Sequence, residues 1–565
     1  MTFESFIPAR AKNVLEIIGD APEDFETSQE KFLEIQPECN YTVANDINKL
    51  SRQFDAILVQ SPLIGTLKHD KLVALIKKIA KLLKDDGTLI FTLDNIGHAD
   101  NISAILAGKP PKFRVTITQS ELQDAIEDSG LNLLRSLNAG RGIQVQRQLA
   151  ELAKTEMAVF VYIFTAYKKD PPKKTLIQTL IGESTVCAPS RVHMPNSFFM
   201  TEPNVFIVAS PVGKPYKLFD REQFEDRIFI NQRMCFPSFA VGLDFFNVLR
   251  EKEILFLSEM DDHPVLWEDD YKKTEWINFR AVHAIQTSTP YLADFLSQFN
   301  PNVTVFANQL RRLPPQRNFD EEFKQKKPVT IFFGALNRDG DFMELVPVLN
   351  RFAKQYGKKL AFKILSRPNL FDALESDNKT FIGDPKRYDG QFVSYDTYES
   401  AIRSSDIALL PLRDNEFNRS KSDLKFIECA GSGAVVLASP VVYSNTIVDG
   451  KTGFIYRDER EFSNKLSLLI KNKNLRRMVA EKAYNYVRNE RLMSQHYEER
   501  LDWYRELLLR LPELTKAAQE RLEKFIPQFQ QEIDDFRARF AQNKQPRPFQ
   551  VDKNSNQGAE IIIPE

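Results

Sequence analysis

The chain has 565 residues, enough for three or four domains. With 42% hydrophobic and 27% charged residues it is expected to be a soluble globular protein, and 77 acidic against 76 basic residues give no support for a general nucleic-acid binder. The four cysteines, Cys39, Cys187, Cys235 and Cys429, are scattered without a CxxC pair, which argues against a zinc site or a disulfide framework and fits a cytoplasmic setting. The N-terminus lacks a basic stretch followed by an apolar core, so no signal peptide is read, and no run of about 18 apolar residues predicts an integral membrane segment.

The first segment, residues 1–170, alternates strand-like and helix-like patterns. NVLEII from Asn13 and QFDAILVQSPL from Gln53 read as buried strands. HDKLVALIKKIAKLLKDDG has helical periodicity and is expected to stop at Gly87 as a C-cap. GTLIFTLDN then reads as a strand, SELQDAIEDSG as a capped helix and VFVYIFTAYKK as a last strand, which predicts a doubly wound α/β sheet. The order of these pieces resembles the class I S-adenosylmethionine-dependent methyltransferase fold. Such enzymes need a glycine-rich turn after the first strand, whereas EIIGDAPEDF offers Gly19 alone, followed by Asp20, Ala21 and Pro22. Asp46 stands where the family places its ribose-binding acid. The resemblance implies a methyltransferase-like Rossmann unit that is degenerate and non-catalytic, and S-adenosylmethionine is not expected as a cofactor.

PPKK from Pro171 marks a boundary, and residues 171–320 read as a second α/β unit. Its strands are expected in TLIQTLIGE, NVFIVASP, RIFINQR, ILFLSEMDD, HAIQTS and VTVFAN. RRLPPQRNFDEEFKQKKP from Arg311 is rich in proline and charge and reads as an inter-domain linker. A third α/β unit, 321–510, opens with VTIFFGA and closes with two helices around LRRMVAEKAYNYVRN and HYEERLDWYRELLLRL. Residues 511–565 form a helical tail. There Leu522, Ile526, Phe529, Ile533, Phe536 and Phe540 make a heptad-like seam interrupted by Pro527, which suits either packing on the chain's own body or a self-associating coiled coil. The residues from about Gln542 read as disordered.

Ligands of tandem α/β units lie outside the carboxyl ends of the strands. One such end in the third unit is FFGALNRDGDF, where Gly334 and Gly340 flank a loop carrying Arg338. Another is DIALLPLRDNEFNRSKSD, which supplies Asn418, Arg419, Lys421 and Ser422. The spacing of Lys421, Lys425 and Glu428 at i, i+4 and i+7 predicts one helix face bearing all three. Two stacked lysines repel unless an anion lies near, and a carboxylate one turn on accepts hydrogen bonds from a diol. The same spacing also suits an ordinary solvated face.

The strings FGALNRDGDF, SSDIALLPL, KSDLKFIECAGSGAVVLASP and IVDGKTGFIY resemble the C-terminal domain of bacterial group-1, family-4-like glycosyltransferases of the GT-B fold. SRVHMPNSFF, LFLSEMDDHP, AVHAIQTSTPYLADFL and VTVFANQL resemble the acceptor-side half more loosely. The fold expected is therefore three Rossmann-like domains plus a helical tail. The resemblance implies that Glu428 holds the donor ribose and that Arg338 and Lys421 take its phosphates. Gly334, Asn418, Ser422 and Lys425 complete the donor site. Asp262 and His263, beside Asp261 at a strand end, face the cleft with Lys421 and Arg338 as catalytic candidates, and His193 and His263 are the histidines for acceptor contacts. The family often carries a glutamate eight residues before the ribose-binding one. Ser420 stands there, with Glu416 four residues earlier as its substitute.

The activity implied is metal-independent transfer, with retention, from a nucleotide-sugar to a surface glycan or protein, with no required cofactor and no nucleic-acid partner. Two alternatives stay open: a non-catalytic nucleotide-binding or scaffold protein of a glycan-assembly complex, and a bifunctional enzyme that also transfers methyl groups.

Overall fold

A computed structural model describes residues 3–21, 25–95, 117–139, 161–168, 172–182, 187–213, 217–325, 327–334, 339–383 and 393–543. Arg338, Pro22 and the end beyond 543, read from composition as disordered, lie outside these residues.

Three six-stranded sheets follow one another along the chain. The first contains β1 (Asn13–Ile17), β2 (Asn40–Ala44), β3 (Phe54–Val59), β4 (Leu83–Asp94), β5 (Asn132–Ala139) and β6 (Val161–Tyr167), in the order β2-β1-β3-β4-β6-β5. β6 runs antiparallel to both of its neighbours, and the other pairings are parallel. The second contains β7 (Thr175–Ile181), β8 (Val205–Pro211), β9 (Asp226–Gln232), β10 (Leu255–Met260), β11 (Ala284–Thr287) and β12 (Val303–Val305), in the order β12-β11-β10-β9-β7-β8. The third contains β13 (Val329–Phe333), β14 (Leu360–Leu365), β15 (Lys379–Ile382), β16 (Ile407–Leu410), β17 (Val435–Ala438) and β18 (Phe454–Ile455), in the order β15-β14-β13-β16-β17-β18. Both later sheets are wholly parallel. Their central strands are near-continuous apolar runs, because helices cover both faces; every residue of β10 and β17 is buried.

Two sequence expectations change, and the alternative left open for the tail is decided. Gly87 is not a helix cap but lies inside β4. The helix stops at Lys81, Leu83 is fully buried, and the register to β3 shifts between Leu83 and Thr88, so the four residues 84–87 form an irregularity in the strand.

The third unit ends earlier than Arg510. The 473–490 helix packs on the third sheet, but the chain then crosses back. Tyr497, Leu501, Tyr504 and Leu507 of the 497–509 helix are buried with Ile177, Ile228 and Leu255 of the second sheet, and the Tyr504 hydroxyl donates to Gln286 at 2.7 Å. An alternating polar and apolar helix shows that it needs a partner surface but not which sheet provides it.

The tail seam is covered by the chain's own second unit. Leu522 and Ile533 are buried there, and Ile526, Phe529 and Phe536 pack beside them. The Phe529 ring stacks on Phe239 at 4.3 Å, and Glu532 accepts from the Ala240 N–H at 2.7 Å, near the start of the 239–251 helix. The side chain of Phe540 lies outside those described. Pro527 sits in the one-turn 526–529 helix that separates the two tail helices. No helix among the described residues is long and apolar enough to cross a membrane.

The second and third units are joined at two places that touch each other. Leu310, just before the linker, and the 491–493 crossover exchange backbone bonds of 2.8 Å. Beside them Arg491 forks onto Asp423, with Nη1 to Oδ2 at 2.6 Å and Nη2 to Oδ1 at 2.9 Å. It also donates to Gln309 Oε1 and the Asn308 carbonyl. The first unit reaches the same place: the Glu34 carbonyl accepts from the Leu313 N–H, and the Ile35 carbonyl accepts from the Ser494 hydroxyl. Replacing Arg491 by Met leaves the largely buried Asp423 carboxylate without its cation, a loss of about 3 kcal/mol. The expected result is a lower temperature for the first thermal transition; an unchanged melt would contradict the role given to the fork.

Candidate functional site

The carboxyl ends of β10, β13 and β16 converge on the space between the second and third sheets. At the end of β10 the chain delivers Asp261, Asp262 and His263 in succession. His263 caps the following turn, its Nδ1 accepting from the Val265 N–H at 3.2 Å. That bond requires a lone pair on Nδ1, so the neutral ring carries its proton on Nε2. His263 is 3% exposed and lies 4.4 Å from the Phe295 ring. Burial pulls its pKa below the usual histidine value, against an opposing pull from Glu416 and Glu268. Its Nε2 is 3.4 Å from Glu416 Oε1 across the cleft, yet is not aligned for a hydrogen bond.

Opposite this wall, the expected helix face dissolves at its first member. The helix spans Leu424–Gly431, and Lys421 precedes it. A separate turn, Glu416–Arg419, comes first, and the Asp423 side chain at the helix start bonds Arg491 and Thr446 instead of capping its own N–H groups. Lys425 and Glu428 do share a face. Glu428, 9% exposed, accepts on Oε2 from the Tyr398 hydroxyl at 2.7 Å and from Lys425 Nζ at 3.1 Å, while Lys425 also donates to the Tyr398 oxygen at 2.9 Å. Burial and the neighbouring Glu428 carboxylate raise the Tyr398 pKa, so the phenol keeps its proton. Tyr395 stands beside Tyr398 and is exposed.

Lys421 instead turns to the other unit. Its Nζ pairs with Asp262 Oδ1 and sits 3.9 Å from the Phe417 ring centroid. Two further contacts cross the same gap. Thr289 Oγ1 donates to the Ser420 carbonyl at 3.2 Å, and Asn308 Nδ2 donates to Ser422 Oγ at 2.8 Å. Asn308 is itself held by Arg191, fully buried and paired with Glu259 at 2.7 Å. Ser422 is therefore engaged by the second unit. Asn418, expected as a donor contact, spends its amide on Asp341 and the Arg413 carbonyl within its own loop. Ser420 is fully buried, with its hydroxyl on the Phe417 carbonyl, whereas Glu416 is exposed at the gap. Gly334 follows β13, and a Cβ there would lie 2.3 Å from the Phe332 ring, so a larger residue would have to displace that ring. Arg338 lies outside the described residues. His193 is exposed at the junction of the 189–193 and 194–199 helices.

Two participants were not legible in the sequence. Arg233, at the end of β9, bonds Asp261 through Nε at 2.6 Å and Asp262 through Nη2. Tyr398 comes from the 395–403 helix, 30 residues before Glu428. Neither has a spacing relation to the residues it serves; the positive φ of Arg233, +48°, is visible only in the fold.

Residues 353–502 match the family model described as glycosyl transferase-like. That segment includes Tyr398, Lys421, Lys425, Glu428 and Arg491. Among solved structures, a glycosyltransferase from Rickettsia africae aligns at 12% identity and TM-score 0.43, covering 59% of this chain and 99% of that one. The sucrose-phosphate synthase from Thermosynechococcus elongatus aligns at 10% identity and TM-score 0.43, again over 59% and 99%. The Anabaena protein HepE, solved with UDP and glucose, aligns at 11% identity and TM-score 0.43 over 58% and 99%. No curated protein matches the chain by sequence.

The His263 geometry makes a direct prediction. With selective ¹⁵N-histidine labelling, this ring should show the Nε2–H tautomer and titrate below the ordinary value of about 6.5. The unfolded chain then takes up the proton first as pH falls through that value, so this group removes stability on the acid side. A midpoint at or above 6.5 would contradict the assignment.

Proposed function

We propose that this chain moves a sugar from a nucleotide-activated donor to a hydroxyl of a glycan or protein acceptor, without a metal and with retention at the anomeric carbon. The observation that carries the reading is the Tyr398–Lys425–Glu428 cluster. It presents a carboxylate and an ammonium at the carboxyl edge of the third sheet, inside the segment with glycosyl transferase-like character. A carboxylate held this way accepts two ribose hydroxyls. Lys421 lies next to the start of the 424–431 helix, whose Asp423 side chain makes no bond to its N–H groups. Backbone N–H groups at a helix start together with a lysine suit a phosphate. Arg338 remains the second phosphate ligand by resemblance.

In the reaction, the bond from the anomeric carbon to the diphosphate oxygen breaks and a bond to the acceptor oxygen forms. Negative charge grows on the diphosphate, which Lys421 stabilises. The acceptor proton needs a destination. Asp262 lies between Arg233 and Lys421, and both of its oxygens are already engaged by these cations. His263 has its Nδ1 lone pair taken by Val265 and a proton on Nε2, so it donates rather than accepts. The departing phosphate oxygen is then the base at hand, which places attack on the face the diphosphate leaves and favours retention. Asp261 and Asp262 both face cations, an arrangement that favours charge stabilisation by protein groups over a metal-held diphosphate.

Calorimetry over a panel of nucleoside diphosphates, followed by a donor-hydrolysis screen, tests this. One nucleotide should bind, and Glu428→Ala should weaken it by about 2 kcal/mol, the scale of hydrogen bonds to a charged group. Lys421→Ala should slow turnover by about 100- to 1,000-fold, as for the loss of one oxyanion donor. Equal activity with Lys421→Ala would refute its role. The scaffold reading draws on the buried Ser420, which leaves the sugar without the glutamate usual at that place; absence of binding by every nucleotide would favour it.

For residues 1–170 we favour a methyltransferase-like unit without catalysis. The single antiparallel strand β6 between β4 and β5 supports the fold. Glu16, at the cofactor end of β1, is fully buried and spent on Gln60 at 2.7 Å, Tyr41 at 2.8 Å and the Ser28 N–H at 3.0 Å. Gly19, at φ +59°, packs so close to Leu63 that a Cβ would lie 2.9 Å from its backbone. The contacts of Glu34 and Ile35 with both connecting segments suit a brace. Titrating S-adenosylmethionine into the intact chain should release no heat; saturable binding would revive the bifunctional reading.

A further inference from the structure

The cation expected to meet the donor's phosphates is already paired with a carboxylate from the other wall. Asp262 offers Oδ1 to Lys421 and Oδ2 to Arg233, and these two partners are held very differently. Arg233 belongs to the same unit as Asp262. Its side chain is 6% exposed, its Nε is bonded to Asp261 and its guanidinium lies 5.9 Å from the Trp267 ring centroid. Its backbone adopts φ +48°, uncommon for a residue with a side chain. The Arg233 N–H donates to the Glu259 carbonyl at 3.0 Å, and its own carbonyl packs against Gly182, where a Cβ would lie 2.5 Å from it. Strain kept in place by surrounding structure marks a position held for a task. Lys421 instead reaches across the cleft on a flexible four-carbon stem, from a segment outside any helix. Of the two bonds to Asp262, the one to Lys421 is the one that can be exchanged.

We propose that Arg233 is a positioning residue that fixes Asp262 as the exchangeable counter-ion of Lys421. The inference rests on the donor-site reading above and deepens it. In the empty cleft Asp262 neutralises Lys421 and ties the two units together. A nucleoside diphosphate carries more negative charge than one carboxylate, takes Lys421 for itself, and releases Asp262 Oδ1. Arg233 keeps the freed carboxylate in place, where it accepts a hydrogen bond from a sugar or acceptor hydroxyl. By sharing the charge of Asp262, Arg233 also weakens its hold on Lys421, so the exchange is not blocked by an overly strong ion pair.

The test is the affinity of the intact chain for the nucleoside diphosphate that binds best, measured by calorimetry at fixed ionic strength. Asp262→Asn removes the competitor while keeping its shape, so the nucleotide should bind roughly three- to ten-fold tighter than to the wild type, the scale of one partly exposed ion pair, while sugar transfer slows. In a Lys421→Ala background the same Asp262→Asn change should alter affinity less than about two-fold, because the carboxylate then has no lysine to withhold. Arg233→Gln, which removes the shared charge, should act in the opposite direction, weakening nucleotide binding as Asp262 turns its full charge on Lys421. Unchanged or weaker binding by Asp262→Asn overturns the proposal. So does a tightening of equal size without Lys421, which would be only the effect of removing a negative charge. If the wild type binds none of the nucleoside diphosphates, the donor-site reading falls and this inference falls with it.

Discussion

The bidentate pair of Arg491 with Asp423 is the contact on which the arrangement of the cleft depends. Asp423 starts the helix that carries Lys425 and Glu428, and Arg491 closes the helix that returns the chain to the second unit. The guanidinium also holds Gln309 and the Asn308 carbonyl just before the linker that enters the third unit. One buried fork thus joins the way in, the way out and one wall of the site. Its partial enclosure makes the ion pair expensive to break, and its planar geometry restricts how the elements meet.

From that junction the polar chain continues into both sheets. Asn308 passes from Arg191 and Glu259 in the second unit to Ser422 in the third. Several residues that look available in the sequence are therefore committed to assembly: Ser422, Asn418 and Ser420 hold the loop and its partner wall. Near the gap stand the ion-paired Lys421, Lys425 and Glu428, together with Glu416 and the Nε2–H of His263. The division follows from burial, since a hydroxyl or amide enclosed between two units must find a partner inside the protein.

Much of the sheet architecture was legible because parallel strands covered on both faces read as short apolar runs. β1, β3, β7, β9, β10 and β11 announce themselves in this way. β2 does not: NYTVA is an edge strand, exposed or half-buried along its length, so it lacks an apolar signature. Gly87 looked like a helix stop because glycine commonly ends helices, but the buried Leu83 had already begun the strand. The last helices were legible as helices and misplaced as neighbours, since an amphipathic face fits any apolar surface of suitable shape.

The sequence by itself determined the periodic elements, the loops at the strand ends, and the pairing of Lys425 with Glu428, which are three residues apart on one helix. These are local matters of spacing and backbone preference. Tertiary structure decided where Lys421 points, because its partner Asp262 is 159 residues away. It also decided that Arg233 belongs to the site, that Tyr398 supports Glu428, and that the tail seam faces inward. Each of these depends on which surfaces the fold brings together, and no local pattern encodes a contact between side chains that meet only there.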